Sequence, residues 1–218
     1  MIWLLSDPHG QEDSIGLKAF LEKCPKNDLL ILLGDLELNF RDTDANRAFT
    51  DWFLSLDRPI AFVDGNHENH PYLASFPEEE WCGGRVHRLT PSILHLKRGE
   101  IYEIEGKSFF VMGGCKSSAR WAEWGLLYEG EDPSAEEIAY ACENLKRHSH
   151  RVDYILTHKY RNEDISLEGG CLPQTLAEFT CYFDEKIDFG HWYSGHWHKD
   201  APLDEKHTTV YRVPIALT

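Results

Sequence analysis

Apolar residues fall in short blocks along this chain, and the spacing inside the blocks alternates between two kinds. Ile2-Trp3-Leu4-Leu5 is a continuous apolar run of strand length that stops at Ser6-Asp7. Leu29 to Leu33 and Pro59 to Val63 repeat that pattern, stopping at Gly34-Asp35 and at Asp64-Gly65-Asn66-His67. Between them, Ser14 to Lys23 gathers Ile15, Leu17, Phe20 and Leu21 on one side of a helix. Asp44 to Leu56 does the same with Ala48, Trp52, Phe53 and Leu56. Apolar strands alternating with amphipathic helices predict a parallel sheet with crossover helices.

The middle of the chain reads differently. Ser92 to Leu96, Glu100 to Ile104 and Ser108 to Met112 are short strands. Lys97-Arg98-Gly99 and Glu105-Gly106-Lys107 between them read as turns, which predicts an antiparallel meander. Ser134 followed by Glu137 is a capping box, opening a helix to about His148. Val152 to Leu156 is another buried strand ending at Thr157-His158, and Pro173 to Phe183 reads as a helix. Trp192-Tyr193-Ser194 is a short strand before Gly195-His196, and Thr209 to Val213 reads as the last strand. The pattern contains no internal repeat and no low-complexity linker.

Composition narrows the class. The chain has 218 residues, 42% of them hydrophobic, enough for a sizeable core. We expect one domain over residues 1–218, because the candidate site residues are spread from Asp7 to His198. No apolar stretch is long enough for a membrane span. The start has no basic leader region, so a cytoplasmic location is expected. Six cysteines (Cys24, Cys82, Cys115, Cys142, Cys171, Cys181) lack the paired spacing of a structural zinc site and read as thiols. A net charge of −15 repels nucleic-acid backbones and disfavours a nucleic-acid polymer as partner. It does not exclude a phosphate substrate, since a site holding divalent cations stays locally positive.

The polar residues at the ends of the apolar runs carry the chemistry. Asp7-Pro8-His9 places a carboxylate and an imidazole two residues apart, on one side if the segment is extended. Gly34-Asp35 adds a carboxylate with two oxygens able to bridge. In Gly65-Asn66-His67-Glu68 the asparagine is a neutral oxygen donor and the neighbouring histidine points elsewhere, toward a substrate. Thr157-His158 supplies a lone imidazole. Gly195-His196-Trp197-His198 supplies two more around a tryptophan, its small glycine leaving room for a metal to approach the backbone. Taken singly, several of these are ordinary turns or structural histidines. Together they form a mixed nitrogen and oxygen donor set without thiolate, suited to manganese, iron or zinc.

In this order the motifs resemble those of the calcineurin-like metallophosphoesterase superfamily, whose pattern is D-x-H, G-D, G-N-H-E/D, a lone His and G-H-x-H. The resemblance covers residues 7 to 198. It implies two mixed β-sheets sandwiched between helices, a four-layer α/β architecture, with two metals beyond the strand ends. Asp7, His9, Asp35 and His198 would hold one ion. Asp35, Asn66, His158 and His196 would hold the other, with Asp35 bridging. A hydroxide shared by both ions would attack a phosphomonoester or phosphodiester, and His67 would act as general acid. One departure stands out. Relatives reading G-D-x-x-D-R-G carry an Asp that orients the histidine and an Arg that grips phosphate, whereas this chain has Leu38 and Asn39 there. Glu37 or Arg41 are the residues near enough in sequence to compensate.

Residues Gly113 to Asp132, with Lys116, Arg120, Trp121, Trp124 and Tyr128, form either a substrate wall in which Arg120 touches phosphate or a packed surface segment. Histidines 70, 87, 95, 148, 150, 191 and 207 read as structural or solvated. Two rival readings use the same residues. One is a scaffold that keeps the fold but binds a partner protein, and such scaffolds typically lose a ligand that this chain retains. The other is a nuclease, which the acidic composition disfavours.

Overall fold

The computed structural model describes residues 1–117, 121, 123–160 and 175–217, without the side chains of residues 11–13. Among these the elements run β1 (Ile2–Leu5), α1 (Gly10–Lys23), β2 (Leu29–Leu32), α2 (Asp44–Leu54), β3 (Ile60–Phe62) and α3 (His70–Ala74). Then come β4 (Glu78–Trp81), β5 (Gly84–Arg88), β6 (Ile93–Leu96), β7 (Ile101–Ile104), β8 (Lys107–Met112), α4 (Ala135–Arg147) and β9 (Arg151–Thr157). The chain finishes with α5 (Leu176–Lys186), β10 (Asp188–Ser194), β11 (Ala201–Pro202), β12 (His207–Thr209) and β13 (Ile215–Leu217).

The strands form two mixed sheets. One has the order β13-β1-β2-β3-β6-β5-β4 and the other β11-β12-β10-β9-β8-β7. Strand alternation builds the layers. Leu4, Ile31, Ala61 and Val63 point inward to meet Phe109, Val111 and Leu156 of the second sheet. Their neighbours Leu5, Leu30, Leu32 and Phe62 point outward onto Leu17 of α1 and Phe49 and Phe53 of α2. In the second sheet Phe110, Met112 and Ile155 face Ile138 and Leu145 of α4 and Phe179 and Phe183 of α5. Both faces of both sheets are thus covered, giving the expected helix, sheet, sheet, helix sandwich. No helix among the described residues is long and apolar enough to cross a membrane.

Several expectations need correction. Helix α1 starts at Gly10, four residues early, because its first turn is polar and carries no apolar period. The meander is broken. Strand β6 pairs parallel with β3 in the first sheet, and the chain then crosses to the second, where only β7 and β8 form the antiparallel hairpin. The β4–β5 hairpin has no apolar alternation, since Glu78-Glu79-Glu80 is exposed at a sheet edge where charge discourages further pairing. Its two-residue turn, Cys82-Gly83, has positive φ at both residues, as tight hairpins require. The last strand is Ile215–Leu217, antiparallel to β1, rather than residues 209–213. Helix α5 opens at the Thr175–Glu178 capping box, and residues 173–174 of the expected helix lie outside the described residues.

Candidate metal centre

Strands β1, β2 and β3 run parallel, as do β9 and β10, and the motif residues all lie in the loops at their C-terminal ends. That is where ligands gather on open α/β sheets. Two groups of donor atoms form there. In the first, His198 Nε2 is 3.3 Å from Asp7 Oδ1 and 2.8 Å from His9 Nε2, and His9 Nε2 is 3.6 Å from Asp35 Oδ2. In the second, His158 Nε2 is 3.4 Å from Asp35 Oδ1, 3.1 Å from Asn66 Oδ1 and 3.3 Å from His196 Nδ1. Asp35 turns one oxygen to each group.

The sequence reading put Asp7 and His9 on one side of an extended segment, and likewise His196 and His198. Instead Asp7, His9, His196 and His198 all have positive φ, between 40° and 70°. Left-handed turns, not strand alternation, bring these side chains together. Backbone strain of this kind is often held at functional sites. The room at Gly195 has a different use from the one expected. A Cβ there would lie 2.0 Å from Ser6 Oγ and 2.6 Å from Asp7 Oδ2, so the glycine lets the loop after β10 close onto the end of β1.

The donor set fits cations. His158 Nδ1 donates to the Leu33 carbonyl at 2.8 Å, which turns Nε2 into the centre. Nε2 there faces oxygens of Asp35 and Asn66. Asp7 Oδ1 is buried with no hydrogen-bond partner. Converging acceptors without protons repel one another unless a cation lies among them. Protons substitute in part: burial alone would lower His9, but Glu37, Asp35 and Asp7 raise it to about 9. His196 goes the other way, to about 3, through burial and the neighbouring His158 and Lys159.

His67 lies beside these groups, its ring edge-on to Trp121 at 4.2 Å and near Phe40 at 5.5 Å. Its backbone N–H donates to Asp35 Oδ1 at 2.8 Å. Glu68 completes the motif from beneath, its Oε1 accepting the Leu36 N–H at 2.8 Å and fixing the turn after Asp35. Asn66 Nδ2 donates to Ser117 Oγ at 3.0 Å, which aims its oxygen at His158. A cavity of about 320 Å³ opens over the centre, and Arg41 and Trp121 stand in its wall. Arg120 lies outside the described residues.

Glu37 was named in the sequence only as a possible substitute. It is a buried member of the centre, with Oε1 3.2 Å from His9 Nδ1 and 3.4 Å from His67 Nδ1. Burial alone would raise its carboxyl, but His67 and His9 outweigh that and hold it at about 2. Ser117 was not named, although it lies within the Gly113 to Asp132 segment that the sequence marked. Other described histidines make contacts away from the centre. His95 contacts Asp64 and His207 lies between Asp184 and Asp204.

Two mixed sheets thus carry aspartate, asparagine and histidine donors at their strand ends, a set able to hold metal ions. A profile of the calcineurin-like phosphoesterase family matches residues 1–200, and the chain belongs to that family. It is 22% identical over 199 residues to a protein of Fibrobacter succinogenes named a probable cyclic nucleotide phosphodiesterase, covering 91% of this chain and 68% of that one. A crystal structure of a protein of unknown function from Aquifex aeolicus aligns over 87% of each chain at 15% identity, with a TM-score of 0.40.

Proposed function

We propose that this protein hydrolyses phosphate esters at a two-metal centre in which Asp35 bridges the ions and His67 protonates the leaving oxygen. The observation that carries the reading is the split aim of Asp35, with Oδ2 3.6 Å from His9 and Oδ1 3.4 Å from His158. Asp7, His9, Asp35 and His198 would hold one ion, and Asp35, Asn66, His158 and His196 the other. Two divalent ions there would supply a nucleophilic oxygen at neutral pH and neutralise charge on the phosphoryl group. The donors suit manganese, iron or zinc.

The chain's own residues do the rest. His158 is held in one tautomer by Leu33, and Asn66 in one amide orientation by Ser117. His67 is walled by Trp121 and Phe40, which keeps water from competing for its proton. Arg41, on the cavity wall, is the described cation best placed to meet phosphate oxygens. No ligand of the family pattern is missing, which favours an enzyme over a partner-binding scaffold. The distant relative's name favours a phosphodiester among the possible substrates. Cys24, Cys82, Cys115 and Cys142 are thiols, which fits a reducing compartment such as the cytoplasm. Donors drawn from residues 7 to 198 favour the chain working as one domain.

The test is hydrolysis of p-nitrophenyl phosphate and bis-p-nitrophenyl phosphate by manganese-loaded protein against a metal-stripped control. Metal-dependent turnover is expected, and on the phenyl counterpart of the accepted ester, whose leaving group is poorer, His67→Ala should lower kcat by about 10²–10⁴-fold with two ions retained. Equal loss of metal in that variant would contradict its role. Failure to turn over either ester with two ions bound would favour the scaffold.

A further inference from the structure

We infer that Glu37 is a positioning residue serving two imidazoles at once, fixing the tautomer of His9 and of His67; this rests on the reading of His67 as proton donor. Glu37 Oε1 is 3.2 Å from His9 Nδ1 and 3.4 Å from His67 Nδ1, and Arg41 Nη2 approaches the same oxygen at 3.5 Å. The His67 contact is at ion-pair distance without the alignment of a hydrogen bond, and His67 Nδ1 is buried with no hydrogen-bond partner. Catalytic hydrogen bonds often tighten only when substrate is present.

An ionised carboxylate only accepts, so each imidazole must place its proton on Nδ1. His9 then offers Nε2 to Asp7, Asp35 and His198, which is where the structure points it. With Nδ1–H turned to Glu37, His67 acting as general acid carries a second proton on Nε2, gives it to the leaving oxygen and is left as the Nδ1–H tautomer. Second partners of this kind fix ring orientation in metal-binding histidines. In this chain one carboxylate ties such a ligand to the proton donor.

The surroundings are built to hold Glu37 there. Its backbone sits in the left-handed region at φ 60°, and its carbonyl accepts from Asn46 Nδ2 at 2.7 Å. A Cβ on Gly10 would lie 3.1 Å from Glu37 Oε2, so the start of α1 leaves it just enough space. Glu37 lies two residues after the bridging Asp35, where Leu38 and Asn39 leave the usual orienting Asp and Arg absent. A third metal at His9, Glu37 and His67 is the competing use of these atoms, which lie within 4.8 Å of one another. It would require His9 to ligate through both nitrogens and surrender its last ring proton.

The experiment compares p-nitrophenyl and phenyl esters of whichever class the enzyme accepts, since only the poorer phenolate leaving group depends strongly on a proton donor. Glu37→Gln should lower kcat for the phenyl ester by about 10–100-fold and for the p-nitrophenyl ester by less than about 3-fold. KM and a count of two ions per chain should hold. His67→Ala should show the same selectivity, and the double variant should lose no more than His67→Ala. Equal losses on both esters in Glu37→Gln, while His67→Ala still discriminates, would overturn the role of Glu37 alone. If His67→Ala does not discriminate, the reading beneath it fails instead. Zinc-loaded protein gives a readout free of turnover, by long-range proton–nitrogen NMR at a pH where His67 is neutral. Wild type should show His67 protonated on Nδ1 and Glu37→Leu should shift the proton toward Nε2. An unchanged tautomer, or a third zinc ion lost in Glu37→Leu, would overturn the proposal.

Discussion

Replacing Asp64 by Asn should destabilise this protein strongly, although Asp64 lies outside the metal centre. Asp64 is 1% exposed and immediately precedes Gly65-Asn66-His67. Its Oδ2 accepts from Arg98 Nε at 2.9 Å and Nη2 at 2.6 Å, and Oδ1 lies 3.2 Å from His95 Nε2. Burial alone would raise the carboxyl, but Arg98 and His95 hold it well below the usual carboxylate range. Arg98 also donates to the carbonyls of Gly130 and Glu131, at 2.8 and 3.2 Å, and to Glu137 at 3.2 Å. Asp64→Asn keeps the shape and takes from buried Arg98 its buried charge partner, leaving the more exposed Glu137. Breaking one side of such a pair costs about 3–5 kcal/mol. At about 2–4 °C per kcal/mol for a chain of this length, the melting temperature should fall by about 6–20 °C. The pH dependence has a fixed sign. A depressed carboxylate contributes stability above its unfolded pKa, near 3.8, and loses it as pH falls toward the folded value. The gap between wild type and variant should therefore be full at neutral pH and close in acid, below about pH 4. Thermal unfolding followed by circular dichroism across pH measures both. A variant melting within about 2 °C of wild type at neutral pH, or a gap that persists in acid, would refute the argument. Adding Arg98→Met should restore part of the loss, because it removes the stranded charge.

Gly195→Ala would drive a Cβ to 2.0 Å from Ser6 Oγ and 2.6 Å from Asp7 Oδ2. It should cost about 1–3 kcal/mol of stability and weaken metal binding at the Asp7 group about tenfold or more; equilibrium dialysis showing unchanged affinity would contradict it. His9 raised to about 9 means that a metal must displace its proton. Affinity should therefore rise about tenfold per pH unit up to about pH 9, and a flat titration across that range would show that His9 is not a ligand.

The layers were legible because the inward and outward residues of each central strand are both apolar. A run such as Leu29 to Leu33 can only belong to a strand covered on both faces. The β4–β5 hairpin was not, since Glu78, Glu79 and Glu80 bury nothing and are placed by backbone pairing with Arg85, Val86 and His87. The crossing from β6 to β7 was hidden for another reason. Lys97-Arg98-Gly99 looks like a hairpin turn locally, and only the distant Asp64 shows that Arg98 is buried there. The residues of the candidate centre were visible because each ends an apolar run. Glu37 and Ser117 were less so, because their roles depend on partners that chain distance conceals.

The left-handed residues explain how the centre can be preformed. Six of the eleven non-glycine residues at positive φ among the described residues are Asp7, His9, Asp35, Glu37, His196 and His198. Each such residue costs about 1–3 kcal/mol and persists only where its surroundings over-determine it. Here they do. Asp7 N donates to Gly34 O at 3.1 Å and His9 N to Asp35 O at 2.9 Å, locking the β1 and β2 loops together. Gly195 N donates to His158 O at 2.8 Å, locking the β9 and β10 loops. His196 N donates to Asp7 Oδ2 at 2.9 Å, joining one sheet's loops to the other's. Asp7 thus uses one oxygen to hold the two sheets in register and keeps the other, unpaired, for the centre. Loosening that single backbone bond would separate the donor groups before it unfolded either sheet, so geometry at the centre should fail ahead of the fold.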